Sequence, residues 1–192
     1  MNKFLDNIKI PEFVSRGGEK LKFALEKFNI NVEGKICADL GCSVGGFTDC
    51  LLQNGAKKVY SVDTGKNILE WKIKEDERVE FLGGVNALHV ELPEKVDFIS
   101  IDVSWTPQRL IIPKALSLLK DKGEIISLIK PHYEIDKALL KKGKVPEEFL
   151  MEVIDKIKKD FVELGLNFSE IIESPILGQK GKNKEYLVYI QK

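Results

Sequence analysis

The stretch Ile36-Cys-Ala-Asp-Leu-Gly-Cys-Ser-Val-Gly-Gly-Phe-Thr48 leaves this chain few folds to choose from. Ile36 to Leu40 is a short apolar run suited to a buried strand, and it stops at Gly41. Gly41, Gly45 and Gly46 permit a tight turn and, read from sequence, leave no side chain between that turn and a ligand. Residues 47–54 then take a helical period, with Phe47, Cys50 and Leu51 on one side and Gly55 as the stop. Strand, glycine turn and helix in that order make a nucleotide-type site, because the amino end of a helix attracts negative charge.

The rest of the chain repeats the alternation. Strands are predicted at 58–63, 79–82, 96–102 and 124–130, and helices at about 18–28, 110–119 and 146–165. Residues 168–172 and 186–190 make two final strands joined by a loop too short for a parallel crossover, so they pair as a hairpin. The expected fold is a doubly wound α/β domain, Rossmann-like, with a mostly parallel seven-stranded sheet whose last strand is antiparallel. At 192 residues there is length for one such domain, taken as 18–192 behind an N-terminal arm at 1–17.

Ligands of such sheets sit beyond the carboxyl ends of the strands. Asp39, Asp63, Asp102 and Lys130 all fall at those ends, which converges four polar side chains on one edge. The glycine spacing is G-x-x-x-G-G and not the G-x-G-x-x-G of a dinucleotide site. Asp39 ahead of the turn would repel a pyrophosphate and favour a ligand with an ammonium and a sulfonium. S-adenosylmethionine meets that description, with its carboxylate left for the helix end. Its expected contacts are Asp39, Gly41, Ser43, Gly45 and Gly46 on the turn and Asp63 on the ribose. Asn86 is placed to read an adenine edge, although an ordinary turn asparagine looks the same.

Charge decides what else the chain can touch. Thirty Lys and Arg balance thirty Asp and Glu, so any nucleic-acid contact must come from local clusters. Arg16 and the loop Gly178-Gln-Lys-Gly-Lys-Asn-Lys184, with Lys180, Lys182 and Lys184, are the candidates, set against plain solvation of the loop. Cys37, Cys42 and Cys50 lack metal-type spacing and read as small core residues in a reducing compartment, with no metal site. No signal-peptide pattern and no membrane-length apolar run is visible, so a cytoplasmic location without membrane contact is expected.

Val14-Ser-Arg-Gly-Gly-Glu-Lys-Leu21, Asp39-Leu-Gly-Cys-Ser-Val-Gly-Gly-Phe-Thr-Asp-Cys-Leu-Leu52, Asp102-Val-Ser, Lys130-Pro-His-Tyr-Glu134 and Lys184-Glu-Tyr-Leu187 together resemble one family. They are similar to the FtsJ-type ribose 2′-O-methyltransferases among the class I methyltransferases, and within these to the TlyA, or haemolysin-like, branch. The resemblance runs from about Val14 to the end, without the small RNA-binding domain that usually precedes the catalytic one. It implies a Lys–Asp–Lys–Glu tetrad at Lys20, Asp102, Lys130 and Glu185. It also implies RNA, and rRNA or a ribosomal subunit in particular, as partner. Trp105-Thr-Pro and His132-Tyr depart from the usual family pattern.

A ribose hydroxyl is a poor nucleophile and must lose its proton as the methyl arrives. In this reading Lys130 is base or oxyanion stabiliser, oriented by Asp102. Lys20 stands beside the acceptor oxygen, and Glu185 holds Lys20 or the ribose. Trp105 either stacks a base or packs into the core. A small-molecule or protein methyltransferase on the same sheet, and a non-catalytic cofactor-binding interaction protein, are the competing readings.

Overall fold

The computed structural model describes residues 11–178 and 182–192. Its centre is β1 (Ile36–Leu40), buried from Cys37 onward because the run is apolar toward both faces. Parallel neighbours are β2 (Lys58–Asp63) on one side and β4 (Val96–Ile101) on the other. β3 (Val79–Gly83) extends the first side, and β5 (Leu119–Ile129) the second. β6 (Asn167–Phe168), β7 (Ile172–Glu173) and β8 (Tyr186–Gln191) complete the sheet in the order β3-β2-β1-β4-β5-β8-β6, with β7 also on β8. β8 runs antiparallel to β5, β6 and β7, so one strand is reversed, as expected for this Rossmann-like architecture.

Alternation along the strands divides the core into two layers. Cys37, Val59, Phe98, Ile126 and Leu128 face α1 (Gly17–Lys27) and α2 (Gly46–Gln53). Ala38, Leu40, Tyr60, Ile99 and Ile101 belong to the other layer. A one-turn α3 (Trp71–Lys74), not foreseen from sequence, follows β2, while α4 (Gln108–Leu118) and α5 (Glu147–Glu163) cover that second layer. Leu150, Val153, Ile154, Ile157 and Phe161 form the buried stripe of α5; the helical period points to Phe149, Val153, Ile157, Phe161 and Leu164, of which Phe149 is half-buried and Leu164 exposed. All three cysteines are free and buried; burial pushes the Cys37 and Cys50 thiols up to about 12.

One expectation needs correction. The strand predicted at 168–172 is broken into β6 and β7. Ser169 puts its hydroxyl where the ladder needs a carbonyl, accepting the Tyr189 N–H at 3.1 Å, and the pairing splits there. Of the expected N-terminal arm, residues 1–10 lie outside the described residues. The part that follows is closely packed: Phe13 is buried against Gly18, where a Cβ would come within 2.2 Å of its ring, and the Val14 N–H donates to Asp49 Oδ2 at 2.8 Å.

Strand order reverses at β1, with β2 and β3 to one side and β4 and β5 to the other. That switch point opens a crevice beyond the ends of β1 and β4. Asp102, just past β4, donates its N–H to Leu40 O at 2.9 Å, so the two loops that leave these strands begin in contact.

Candidate active site

A cavity of about 700 Å³ occupies the switch point. One wall is the turn Gly41, Cys42, Ser43, Val44, Gly46 and Phe47. The segment Val14 to Gly17 and the residues Lys20, Asp102, Lys130 and Glu185 complete the lining. Its volume lies within the usual range of small-ligand sites. The four residues matched to the family tetrad therefore share one space, although they come from α1, the ends of β4 and β5, and the entry to β8.

They are joined as two ion pairs. Lys20 Nζ lies 2.5 Å from Glu185 Oε2, with both side chains at least nine-tenths buried. Lys130 Nζ lies 2.6 Å from Asp102 Oδ1, the sole polar contact of that buried oxygen among the described residues. Burial alone would lower the Lys130 pKa, but Asp102, Glu185 and Tyr133 outweigh it, and the amine sits above an ordinary lysine. His132 goes the other way, lowered by burial and by the Lys130 charge. With Arg16 also on the lining, three cations face two carboxylates across this cavity.

The glycines of the turn serve the protein first. Gly41 (φ 90°) and Gly45 (φ 98°) occupy the left-handed region. A Cβ on Gly41 would meet Asp102 O at 2.6 Å, and one on Gly46 would meet Ser15 Oγ at 2.1 Å. The space they keep clear is thus taken up by β4's loop and the segment around Ser15, while Gly41 and Gly46 also line the cavity. Gly45 is buried under Leu69 and is not part of the cavity lining. No side chain caps α2, so its first N–H groups are available to a carboxylate.

Asp39 is also corrected. It precedes the strand end by one residue, so its side chain points between sheet and α2 and not into the crevice. Fully buried, it accepts hydrogen bonds from Thr48 Oγ1 at 2.7 Å and Ser100 Oγ at 3.1 Å. Burial pushes its pKa up to about 7 despite those two donors. Its visible work is to anchor the first turn of α2. Asp63 lies beside the cavity, where Oδ2 accepts the Ser43 N–H and Oδ1 the Gly65 N–H, each at 2.9 Å. Asn86 is exposed, with Oδ1 accepting the Leu88 N–H at 2.9 Å in an Asx turn that leaves its amide N–H groups outward. Its loop is held to the end of β2 by the Val85 N–H on Asp63 O.

Of the lysine loop, Lys180 lies outside the described residues. Lys182 is exposed, and Lys184 is already engaged, 2.6 Å from Glu147 and 3.9 Å from Glu173. Both line a smaller cavity of about 210 Å³ and not the larger one. Trp105, whose two readings are base stacking and core packing, is decided by its exposure, and His132, Tyr133 and Ser104 join it on the cavity lining. Trp105, 74% exposed and at φ 63°, cannot be core packing; its ring lies 4.9 Å from Tyr133 on the cavity rim. His132 and Tyr133 stand immediately after Lys130, as Ser104 and Trp105 follow Asp102. Position just beyond a strand end was the signal that could have found them.

A buried clasp ties these two loops together. Glu134 Oε1 accepts the N–H of Gln108, first residue of α4, at 2.8 Å. Gln108 in turn accepts from Ser127 Oγ at 2.6 Å and donates to Leu128 O at 3.3 Å, both on β5. Glu134 Oε2 is buried without a partner among the described residues.

Residues 13–192 match the family described as FtsJ-like methyltransferase. A Bacillus subtilis protein provisionally named rRNA methyltransferase YqxC is 38% identical over 192 aligned residues, covering 93% of this chain and 65% of that protein. The 16S/23S rRNA (cytidine-2′-O)-methyltransferase TlyA of Mycobacterium tuberculosis is 33% identical, covering 93% of this chain and 68% of that one. The chain thus spans about two thirds of the length of these relatives. A Lactococcus lactis crystal structure, provisionally described as a hemolysin, superposes with a TM-score of 0.90 at 39% identity over 95% of this chain and 90% of that one.

Proposed function

This chain belongs to the FtsJ-like methyltransferase family, and from that premise we propose that it methylates a ribose 2′-hydroxyl of ribosomal RNA. The observation that carries the reading is the pair of ion pairs, Lys20–Glu185 and Lys130–Asp102, lining one cavity with the glycine turn. Two lysines, each fixed by a carboxylate, suit proton handling and charge stabilisation at a hydroxyl.

S-adenosylmethionine, when bound, supplies the electrophilic methyl group. The uncapped N–H groups of α2 suit its carboxylate, and the lone pairs of Asp63 not used by Ser43 and Gly65 suit ribose hydroxyls. Gly41, Ser43 and Gly46 offer backbone along the same wall, and the free amide of Asn86 suits an adenine edge. Lys130 Nζ, in its minor neutral form, takes the proton of the acceptor hydroxyl, or as the ammonium it stabilises the developing alkoxide, and Asp102 orients it. Lys20, fixed by Glu185, holds the acceptor oxygen in line, so that positioning supplies a large share of the acceleration. Trp105 offers its exposed face to a base.

Ribosomal RNA as the acceptor rests on what the relatives are named for, and a cytoplasmic place of action follows from that acceptor. The test is direct: incubate purified protein with S-adenosylmethionine and deproteinised rRNA, digest to nucleosides, and weigh them. A 2′-O-methylated nucleoside absent from the Lys130→Ala reaction supports the proposal. Methyl groups on bases, on protein or on neither would overturn it.

A further inference from the structure

We propose that an exposed lysine hairpin at 137–144, joined to Lys182, forms a docking ridge for the RNA strand that flanks the methylated nucleotide. The inference rests on the reading of the acceptor as RNA and adds where that RNA lies.

Four lysines (Lys137, Lys141, Lys142 and Lys144) fall within these eight residues, and no acid interrupts them before Glu147. The Lys141 N–H donates to Lys144 O at 2.9 Å and the Lys144 N–H to Lys141 O at 3.1 Å, which makes a two-residue hairpin. Its tip, Lys142 (φ 53°) and Gly143 (φ 77°), is left-handed at both positions. Such turns favour Asn or Asp before Gly, so a lysine here is displayed against local preference. All four lysines are exposed. The hairpin is fastened to the second loop through buried Asn183, whose Nδ2 donates to Gly143 O at 3.1 Å. Lys182 and Lys144 both line the small cavity.

Within the ridge, Lys141 and Lys184 have carboxylate partners, Glu148 at 3.3 Å and Glu147 at 2.6 Å. Lys137, Lys142, Lys144 and Lys182 have none within 4 Å among the described residues. In a chain of zero net charge this is local excess, not background. Both ends of the ridge lead to the catalytic cavity. Lys137 Nζ lies 5.7 Å from the centroid of Trp105 on the rim. The floor of the small cavity includes Pro131, which directly follows Lys130. Spaced cations that run up to an exposed aromatic suit a phosphate backbone bearing a stackable base, which an acidic polypeptide lacks.

The experiment uses the full chain and a fluorescein-labelled 20-nucleotide single-stranded RNA, titrated at several salt concentrations. Each phosphate contact contributes about 0.7 to the slope of log affinity against log salt, so Lys137→Ala/Lys142→Ala/Lys144→Ala should flatten it by about 2. Affinity for S-adenosylhomocysteine should not change, which also shows that the variant is folded. Lys156→Ala/Lys158→Ala/Lys159→Ala, on the outer side of α5, should leave the slope intact. If the wild type binds RNA with a salt slope that the hairpin variant keeps, the ridge is wrong and the proposed function stands. If the wild type shows no salt-sensitive RNA binding, both fall. If poly-L-glutamate displaces the RNA at equal charge concentration, the ridge is a general polyanion surface and RNA as its partner is overturned.

Discussion

Lys130 Nζ lies 2.6 Å from Asp102 Oδ1 across the ends of two adjacent parallel strands, β5 and β4. By register Asp102 is level with Leu128, so Lys130 stands two residues farther along, and its long side chain spans the offset. Lys130 is then held above the usual lysine value against the downward pull of burial. If it takes the acceptor proton, the reactive form is the neutral amine, and kcat/KM should climb about tenfold per pH unit through the neutral range. Lys130→Arg keeps the charge but cannot give up its proton, so turnover should fall by orders of magnitude while cofactor binding survives. Single-turnover methylation across pH distinguishes this from plain charge stabilisation, for which the profile stays flat and Arg retains a sizeable rate.

The Lys20–Glu185 pair serves stability and chemistry at once, and the two can be separated. Removing either partner alone strands a buried charge, at a cost of about 3–5 kcal/mol. Replacing both, as Lys20→Met/Glu185→Leu, should restore most of that stability in urea unfolding. It should not restore methylation. A double variant with normal turnover would remove Lys20 from the mechanism.

Asp63 already binds two backbone N–H groups, one of them from Ser43 on the turn. Asp63→Ala should therefore weaken S-adenosylhomocysteine binding roughly tenfold or more, since a hydrogen bond to a charged group is worth about 1.5–3 kcal/mol. Calorimetry giving unchanged affinity would reject the placement of the ribose at this carboxylate.

The architecture was legible because its signals are local. Periods of two and 3.6, with glycines between, located β1 to β5 and the long helices within a few residues. Which strand-end acids face the crevice was less legible. Asp102 lies past its strand and reaches the cavity, whereas Asp39 sits inside β1 and turns under α2, and a shift of one residue exchanges those outcomes. The purpose of Gly46 was hidden for a different reason: it makes room for Ser15, a contact between segments 31 positions apart that no local pattern records. Nor does spacing reveal that Lys184 is neutralised, since Glu147 and Glu173 reach it from elsewhere in the chain.

Glu134 gives a prediction of the opposite sign to the usual acid effect. Burial pushes its carboxyl up to about 7 from 4.5, against the lowering effect of the Gln108 N–H. Lys156 and Arg109 pull it down and Asp160 pushes it up, all more weakly. An unfolded chain ionises this group near 4.3. Between that value and about 7 the folded state keeps a proton that the unfolded state has lost. Folding is therefore favoured by this group at low pH, and the contribution disappears as pH rises through about 7. Glu134→Gln keeps an acceptor for Gln108 and carries no charge, so it should be more stable than the parent at pH 8 by about 3–4 kcal/mol, and by only about 1 kcal/mol at pH 5. Denaturant unfolding at both pH values measures the difference directly. An equal effect at the two would mean that Glu134 is protonated, or ionised, throughout. The clasp between the loops after β4 and β5 would then be pH-independent, and Asp39, raised to about 7 by its own burial, would be left to carry any loss of stability across neutrality.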